Sequence, residues 1–251
     1  MGKRENYRSE LTPILNDQES LSQFLIQHSN LPGRRANLEL IHAFADVNKN
    51  LTSVMKWTKF SEEDANVNDP TAFLVFCAAV SLGQIYTETR DEKILLRLKE
   101  MANDTRWRVR ECVAFGFQRI GEHEFTLLKK IFSDWLHGAN NYERRCILVA
   151  LAHPDFLNEE RANYCIEITN KILEELNPVE DESFRVLKKG LDFTISVYVS
   201  AAPTVGFMFM NSWIGKNRIV DSVLKTNLLK NRLAKHYPQK VSLLLDFLEV
   251  K

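Results

Sequence analysis

The sequence predicts an all-α protein built as a right-handed α-solenoid, a superhelical stack of about six helix pairs. Three observations predict this fold. The 251 residues include only nine glycines and seven prolines, which favours long helices joined by short loops. Apolar residues recur at intervals of three and four along most of the chain. Residues of one class also recur about every 34 positions in successive helices.

Length and composition indicate a folded protein with a single domain over residues 1–251. Hydrophobic residues make up 45% of the chain and charged residues 26%, both typical of globular proteins. The 33 basic and 33 acidic residues cancel, so no overall field attracts nucleic acid or an anionic membrane. The start of the chain is polar and no apolar run is long enough for a membrane helix, so we expect no membrane association.

The cysteines and histidines form no pattern typical of a metal site. There is no CxxC pair, and no histidine cluster has the spacing of zinc ligands. The sequence therefore predicts no metal and no cofactor, and a reduced, cytoplasmic protein. The cysteines are Cys77, Cys112, Cys146 and Cys165.

The first helix of each pair is predicted from amphipathic segments. Ile94, Leu98 and Met101 lie on one face of such a segment. Polar residues with a preference for the N-cap mark several starts, such as Asn158 before Glu159. The predicted first helices are Glu19–Ser29, Leu51–Phe60, Asp91–Asn103, Glu124–His137, Glu159–Leu176 and Pro203–Gly215.

The second helices alternate with the first along the chain. A proline after an aspartate, at Asp69-Pro70, is a helix-start signal for one of them. A further amphipathic helix at the end of the chain is predicted to close the stack. The second helices are Arg34–Val47, Pro70–Thr87, Arg106–Ile120, Tyr142–Ala152, Ser183–Val199 and Ile219–His236, and the closing helix is Gln239–Glu249.

Alignment of the second helices places equivalent residues in columns. A helix pair cannot bury its apolar face alone, so recurring classes predict that neighbouring pairs stack into a continuous core. A column of cysteines is best explained as buried core positions, because a free cysteine packs as a small hydrophobic residue. The columns are Val75, Arg110, Arg144 and Arg185, at spacings of 35, 34 and 41 residues, and Cys77, Cys112 and Cys146.

The segment from Asn103 to Ala114 carries a family resemblance. Asp104 stands in a turn, and Val109-Arg110 follows early in the next helix. The segment resembles the consensus of the HEAT repeat, which builds armadillo-type superhelices. The resemblance implies that Asp104 and Arg110 belong to a structural ladder of polar contacts between adjacent repeats. Arg144 and Arg185 stand at equivalent positions.

Residues 30–40 and 227–233 resemble stretches of small bacterial HEAT-repeat proteins. Those proteins are related in fold to the DNA alkylation-repair glycosylases of the HEAT-like-repeat type. The glycosylases use a concave cleft lined by tryptophan and arginine, with a catalytic aspartate beside a tandem tryptophan pair. This chain has no Trp-Trp-Asp string, and the nearest, Asp134-Trp135, lies on a predicted first helix. No catalytic residue is therefore assigned by the resemblance.

Second helices line the concave face of such a stack, and basic residues gather on them. A continuous basic stripe could follow a phosphate backbone, whereas ion pairs with neighbouring carboxylates would neutralise it. Trp107 could stack a base or anchor a peptide, although packing between repeats is the favoured interpretation. The candidate binding residues are Arg34, Arg35, Trp107, Arg108, Glu111, Arg145, Lys188, Lys189, Lys225, Lys230 and Arg232.

Four acidic residues on the second helices could serve as a general base if one of them is buried beside an aromatic side chain. The sequence shows no catalytic partner for any of them, so solvated or ladder roles are favoured. These residues are Glu39, Glu111, Asp192 and Asp221.

Three functions are compatible with these features. The favoured one is a non-catalytic binding scaffold that holds a protein segment or nucleic acid in its concave groove. The second is a DNA-binding protein that uses its basic residues on phosphates. The third, a glycosylase for alkylated bases, rests on the fold resemblance alone. An acidic residue flanked by two aromatics in one cleft would favour the third.

Overall fold

The computed structural model describes residues 2–179 and 181–249. These residues form helices and loops without any strand, which confirms the all-α prediction. Contacts divide the chain into two compact units, Met1–Lys130 and Ile131–Lys251. Buried apolar side chains lie in both units, so each has a core of its own.

The first unit begins with a helix that the sequence analysis did not predict. Only Leu11 is buried in this helix, so its sequence lacks the apolar periodicity on which the predictions depend. The helix packs against α3. The helices are α1 (Lys3–Leu11), α2 (Gln18–Gln27), α3 (Leu38–Val47), α4 (Leu51–Trp57), α5 (Ala72–Thr89), α6 (Glu92–Met101) and α7 (Trp107–His123), after which α8 (Phe125–Leu136) follows.

Helix α5 is the centre of the first unit. It contacts α3 on one side and α7 on the other, and α2, α4 and α6 also pack against it. By length and composition α5 could cross a membrane, but 83% of its residues are buried within the protein. Such burial is typical of the core helix of a globular domain, and it explains why α5 is apolar on all faces.

The second unit has a similar arrangement around α11. This helix contacts α9 and α13, while α10 and α12 pack against it and against each other. The C-terminal helix α15 contacts α13 and α14. The helices are α9 (Asn141–Leu151), α10 (Glu159–Glu174), α11 (Glu182–Ala201), α12 (Pro203–Trp213), α13 (Arg218–Leu228), α14 (Asn231–Ala234) and α15 (Pro238–Glu249).

Two predicted second helices were wrong in extent. Helix α3 begins at Leu38 rather than Arg34, because the side chain of Asn37 accepts a hydrogen bond from the Leu40 amide and caps the first turn. The segment predicted as one helix over Ile219–His236 is two helices. Lys230 has an extended backbone, with φ −68° and ψ 135°, which separates α13 from α14.

Two arginines hold the turn that contains Asp104, at the segment that best matches the repeat consensus. Arg110 donates to the backbone oxygens of Asp104 and Thr105 in the turn before its own helix. The carboxylate of Asp104 accepts from Arg106, which also donates to carbonyl groups in the loop between α4 and α5. Arg106 therefore joins the start of α7 to the preceding helix pair, and the ladder role of Arg110 stays a prediction.

The other two arginines of the predicted ladder form ion pairs of different kinds. Arg144 on α9 pairs with Glu175 at the end of α10. Arg185 pairs with Glu182 one turn earlier on α11, at 3.1 Å, and both side chains are exposed. An exposed pair within one helix joins no elements, so Arg185 has no ladder contact of the implied type.

The cysteine column is buried as predicted. All four cysteines are free thiols inside the protein. Burial raises the pKa of the Cys77 and Cys112 thiols above the ordinary value, since the charged thiolate is unfavourable away from water. These residues therefore serve packing, and their thiols are poor nucleophiles.

Candidate functional site

A pocket of about 300 Å³ opens in the first unit. It is bounded by the loop before α3, by α3 itself, by α5 and by α7. Five of the predicted binding residues line it, although they were selected from separate segments of the sequence. The lining residues are Arg34, Arg35, Ala36, Leu38, Phe76, Trp107, Arg108, Glu111, Cys112 and Phe115.

The interior of this pocket is mainly apolar. Phe76 on α5 and Cys112 on α7 are buried, while Phe115 is half-buried and Leu38 at the start of α3 is exposed. A volume of about 300 Å³ is at the small end of the range for ligand sites. The pocket is therefore suited to one large side chain or one ring system.

Three of the five α7 side chains that line the pocket form a row at four-residue intervals. Trp107, Glu111 and Phe115 all line the pocket, as expected of positions that share one helix face. The sequence favours packing of Trp107 between helix pairs, and this interpretation is wrong. Trp107 is the first residue of α7, lines the pocket and is 50% exposed.

Arg108 fixes the loop before α3 against α7. Its Nη2 donates to the carbonyl oxygen of Gly33 at 2.7 Å, and its guanidinium lies 4.6 Å from the ring centroid of Trp107. The residue is only 7% exposed. Its Nε is buried without a hydrogen-bond partner, and its Nη1 makes no hydrogen bond within the described residues. A buried cation therefore lies in the pocket wall with donors unused.

Arg34 and Arg35 stand at the edge of the pocket. They belong to the loop before α3, not to a second helix as predicted, and both are exposed. Within the described part of the chain neither side chain makes a hydrogen bond or an ion pair. Their guanidinium groups are thus available to an anionic ligand.

The remaining candidate binding residues lie in the second unit. Lys188 pairs with Asp192 at 3.0 Å, and Lys225 lies 3.8 Å from Glu249. Together with the ion pairs of Arg144 and Arg185, these contacts neutralise much of the predicted basic stripe. The candidates in this unit are Arg145, Lys188, Lys189, Lys225, Lys230 and Arg232, of which Arg145, Lys188 and Lys230 are half-buried.

The four acidic candidates have different surroundings. Asp192 pairs with Lys188, Asp221 accepts a hydrogen bond from the Gly215 amide, and Glu39 is exposed. Glu111 is half-buried in the pocket, with Trp107 one turn before it and Phe115 one turn after it. Glu111 therefore satisfies the condition of an acid between two aromatics in one cleft.

Known proteins offer no guide to this pocket. Comparisons with models of protein families, with curated proteins and with solved structures find no match. Among residues 2–179 and 181–249, no group of three or more His, Cys, Asp or Glu side chains is placed to hold a metal ion. The chemistry of the pocket must therefore be judged from its own residues.

Five pocket residues were not identified from the sequence as parts of a site, namely Ala36, Leu38, Phe76, Cys112 and Phe115. Phe115 could have been, because Trp107, Glu111 and Phe115 recur at intervals of four in a predicted helix. Leu38 and Phe76 gave no such signal. Their role depends on how α3 and α5 pack beside α7, and helix periodicity does not encode that packing.

Proposed function

We propose that the protein is a non-catalytic binding scaffold that holds a segment of a partner protein in the pocket beside Trp107. The observation that carries the proposal is an apolar pocket with a half-exposed tryptophan at its mouth. Exposed tryptophan and arginine side chains around an apolar pocket are the groups that dominate protein-binding energies. Arg34 and Arg35 would then pair with acidic groups of the partner.

The scaffold we propose is a HEAT-like α-solenoid. Side-by-side packing of α3, α5 and α7 in the first unit supports it, since consecutive second helices are neighbours in such stacks. The packing of α9, α11 and α13 in the second unit gives the same support. In this arrangement the second helices, and with them α7 and its row of side chains, would form the concave binding face.

The distribution of charge favours a protein segment over duplex nucleic acid. Phosphate contacts along a duplex require many unpaired cations in a continuous track. In the second unit, Lys188 and Lys225 lie beside acidic side chains, and the net charge of the chain is zero. A protein segment needs only the local pocket and a few polar contacts around it.

Selection from a library of short random peptides displayed with free C termini would test the proposal. The full chain is the bait, and enriched peptides are then measured by fluorescence anisotropy. Leu38→Glu places a charge in the apolar wall and should weaken binding by about tenfold or more. Leu96→Glu is the matched control, because Leu96 on α6 is exposed and outside the pocket. Equal affinity for both variants, or no enriched peptide, would contradict the proposal.

A second candidate function is the glycosylase, because Glu111 lies between Trp107 and Phe115 in one pocket. An acid in that position could activate water while the aromatics stack a base. Incubation of the protein with alkylated DNA, followed by chromatography of released bases, would decide. The scaffold proposal expects no release. If the protein releases bases, and if Glu111→Gln abolishes this release while Glu39→Gln retains it, the scaffold proposal is wrong and the protein is an enzyme.

A further inference from the structure

We infer that the pocket recognises the free C-terminal carboxylate of its partner, together with an aromatic or large aliphatic side chain on the last residue. The inference rests on the proposed binding of a protein segment and names the part of the segment that is bound. It follows from where the cations of the pocket lie relative to its apolar interior.

The lining of the pocket has an excess of positive charge. Arg34, Arg35 and Arg108 contribute three guanidinium groups, and Glu111 is the one acid among the described lining residues. Arg34 and Arg35 are exposed and make no side-chain hydrogen bond or ion pair in the described part of the chain. A ligand with a negative charge is therefore favoured, and planar guanidinium groups match a carboxylate by paired hydrogen bonds.

Arg108 makes the requirement for an anion more specific, because it lies in the wall rather than at the edge. Its Nη2 is committed to the Gly33 carbonyl oxygen, but its Nε is buried without a partner and its Nη1 forms no hydrogen bond with described residues. Unsatisfied donors on a buried cation are costly. A carboxylate that enters the pocket would supply acceptors where water has little access.

The anion must lie close to the apolar group that fills the pocket. The interior of Phe76, Cys112 and Phe115 accepts a side chain, and the volume of about 300 Å³ admits one large residue. In an extended segment, successive side chains point in opposite directions. An acidic residue next to the apolar one would point away from Arg108. A C-terminal residue carries its carboxylate on the same Cα as its side chain, so one residue satisfies both parts of the pocket.

A nucleotide also combines a ring with an anion, but the interior fits it poorly. The side chains of Leu38, Phe76 and Phe115 offer no hydrogen-bonding group to the edge of a base, and Glu111 could pair with only part of that edge. Burial of that edge without partners would cost free energy. An apolar side chain has no such requirement, which favours a peptide terminus over a nucleotide in this pocket.

The test uses peptides enriched on the full chain from the C-terminally displayed library. Each is synthesised as the free acid, as the C-terminal amide and with one glycine added at the C terminus. We expect an aromatic or large aliphatic last residue. The free acid should bind about tenfold or more tightly than the other two forms, as for a lost charge-assisted hydrogen bond.

Replacement of the exposed arginines tests which groups read the carboxylate. Arg34→Gln with Arg35→Gln should reduce affinity for the free acid towards that of the amide and leave the amide unchanged. The matched control is Lys56→Gln with Lys59→Gln, which removes two exposed charges outside this pocket in the same unit. The control should preserve the preference for the acid. Arg108→Lys should also reduce the preference, and circular dichroism would show whether that variant folds.

The outcomes separate this inference from the proposed function. Enriched peptides that bind equally as acid and amide would overturn the C-terminal inference. If Leu38→Glu still weakens their binding, the proposed scaffold stands. Absence of any enriched peptide would overturn both. A competition experiment tests a nucleotide ligand: a 5′-phosphorylated dinucleotide and the amide peptide are each used to displace the bound free-acid peptide. If the dinucleotide displaces it at the lower concentration, the inference is overturned, because the pocket then prefers a nucleotide.

Discussion

Arg119 on α7 donates to Asp46 on α3 at 2.8 Å, across the buried helix α5. Arg4 on α1 donates to the same carboxylate through Nε and Nη2, at 2.7 and 2.6 Å. Burial raises the pKa of Asp46, but its hydrogen bond to Arg4 and the charges of Arg119 and Arg4 outweigh burial and lower the pKa below the ordinary 3.8. One carboxylate thus connects three helices of the first unit.

The pKa of Asp46 predicts how stability depends on pH. Since its pKa is lower in the folded state, ionised Asp46 stabilises the fold above about pH 4, and this contribution is lost as the pH falls through the folded pKa. At pH 7, Asp46→Asn should lower the free energy of unfolding by about 2 kcal/mol, less than for a fully buried pair because Arg4 is partly exposed. The difference from wild type should shrink between about pH 4 and 2.

Urea denaturation across this range would measure the effect. Asp134→Asn is the control, because Asp134 is exposed on α8 and should show little change at any pH. A difference between wild type and Asp46→Asn that stays constant down to pH 2 would contradict the assigned linkage.

Arg106 is expected to contribute strongly to the stability of the fold, because all five N–H donors of its guanidinium have acceptors. It bonds both carboxylate oxygens of Asp104 at 2.9 and 2.7 Å, and it also reaches the carbonyl oxygens of Phe60, Ser61 and Ala65. The residue is 2% exposed. Lysine cannot reproduce this fork, so Arg106→Lys should destabilise the protein by about 3 kcal/mol.

Thermal and chemical denaturation would test this expectation against Arg8→Lys. Arg8 is in the same unit, and its pair with Glu5 at 3.1 Å is about half exposed. The control should change the free energy of unfolding by about 0.5 kcal/mol or less. If Arg106→Lys is equally mild, the loop between α4 and α5 does not depend on this side chain.

The spacing of apolar residues predicted most helices, because each of these helices buries an apolar face on one side. It did not predict α1, in which Leu11 is the buried residue, since a polar helix has no such signal. It extended α3 over Arg34 and Arg35, although Asn37 is a strong N-cap residue that marks the true start. The N-cap hydrogen bond of Asn37 thus determines where α3 begins, although the residues before it are compatible with a helix.

The sequence predicted the polar part of the candidate site, along α7 and at Arg34 and Arg35, but not most of its apolar part. Trp107 and Arg108 were selected from their own segment, and both line the pocket. Phe76 was expected within the second helix Pro70–Thr87, and nothing in its local sequence places it beside them. The pocket exists because α3 and α7 flank α5, and pairing of elements distant in sequence depends on side-chain packing rather than on propensity.

Helices α5 and α7 approach closely at Gly83 and Gly116, so we expect replacement of Gly83 by alanine to destabilise the protein rather than stabilise it. Glycine to alanine usually stabilises a helix interior by about 1 kcal/mol. A Cβ on Gly83 would lie 2.0 Å from the carbonyl oxygen of Gly116, so the two backbones would have to separate. Gly83→Ala should therefore destabilise the protein by about 3 kcal/mol.

Gly190→Ala is the matched control for this crossing. The nearest atom to its added Cβ would be Cγ of Arg145, a side chain that can rotate, at 3.0 Å. Circular dichroism melts should show a large loss for Gly83→Ala and a much smaller change for Gly190→Ala. If the two variants melt at comparable temperatures, α5 and α7 can move apart with little loss in the free energy of unfolding.

The exposure of Trp107 predicts a fluorescence signal for the pocket. The chain has four tryptophans, and Trp57, Trp135 and Trp213 are buried, so acrylamide should quench Trp107 preferentially. Trp107→Phe should remove the quenchable fraction and shift the emission to shorter wavelength, whereas Trp213→Phe should retain that fraction. A peptide bound in the pocket would cover the ring and lower quenching in wild type and Trp213→Phe, but not in Trp107→Phe. Unaltered quenching in wild type at saturating peptide would place the bound segment elsewhere.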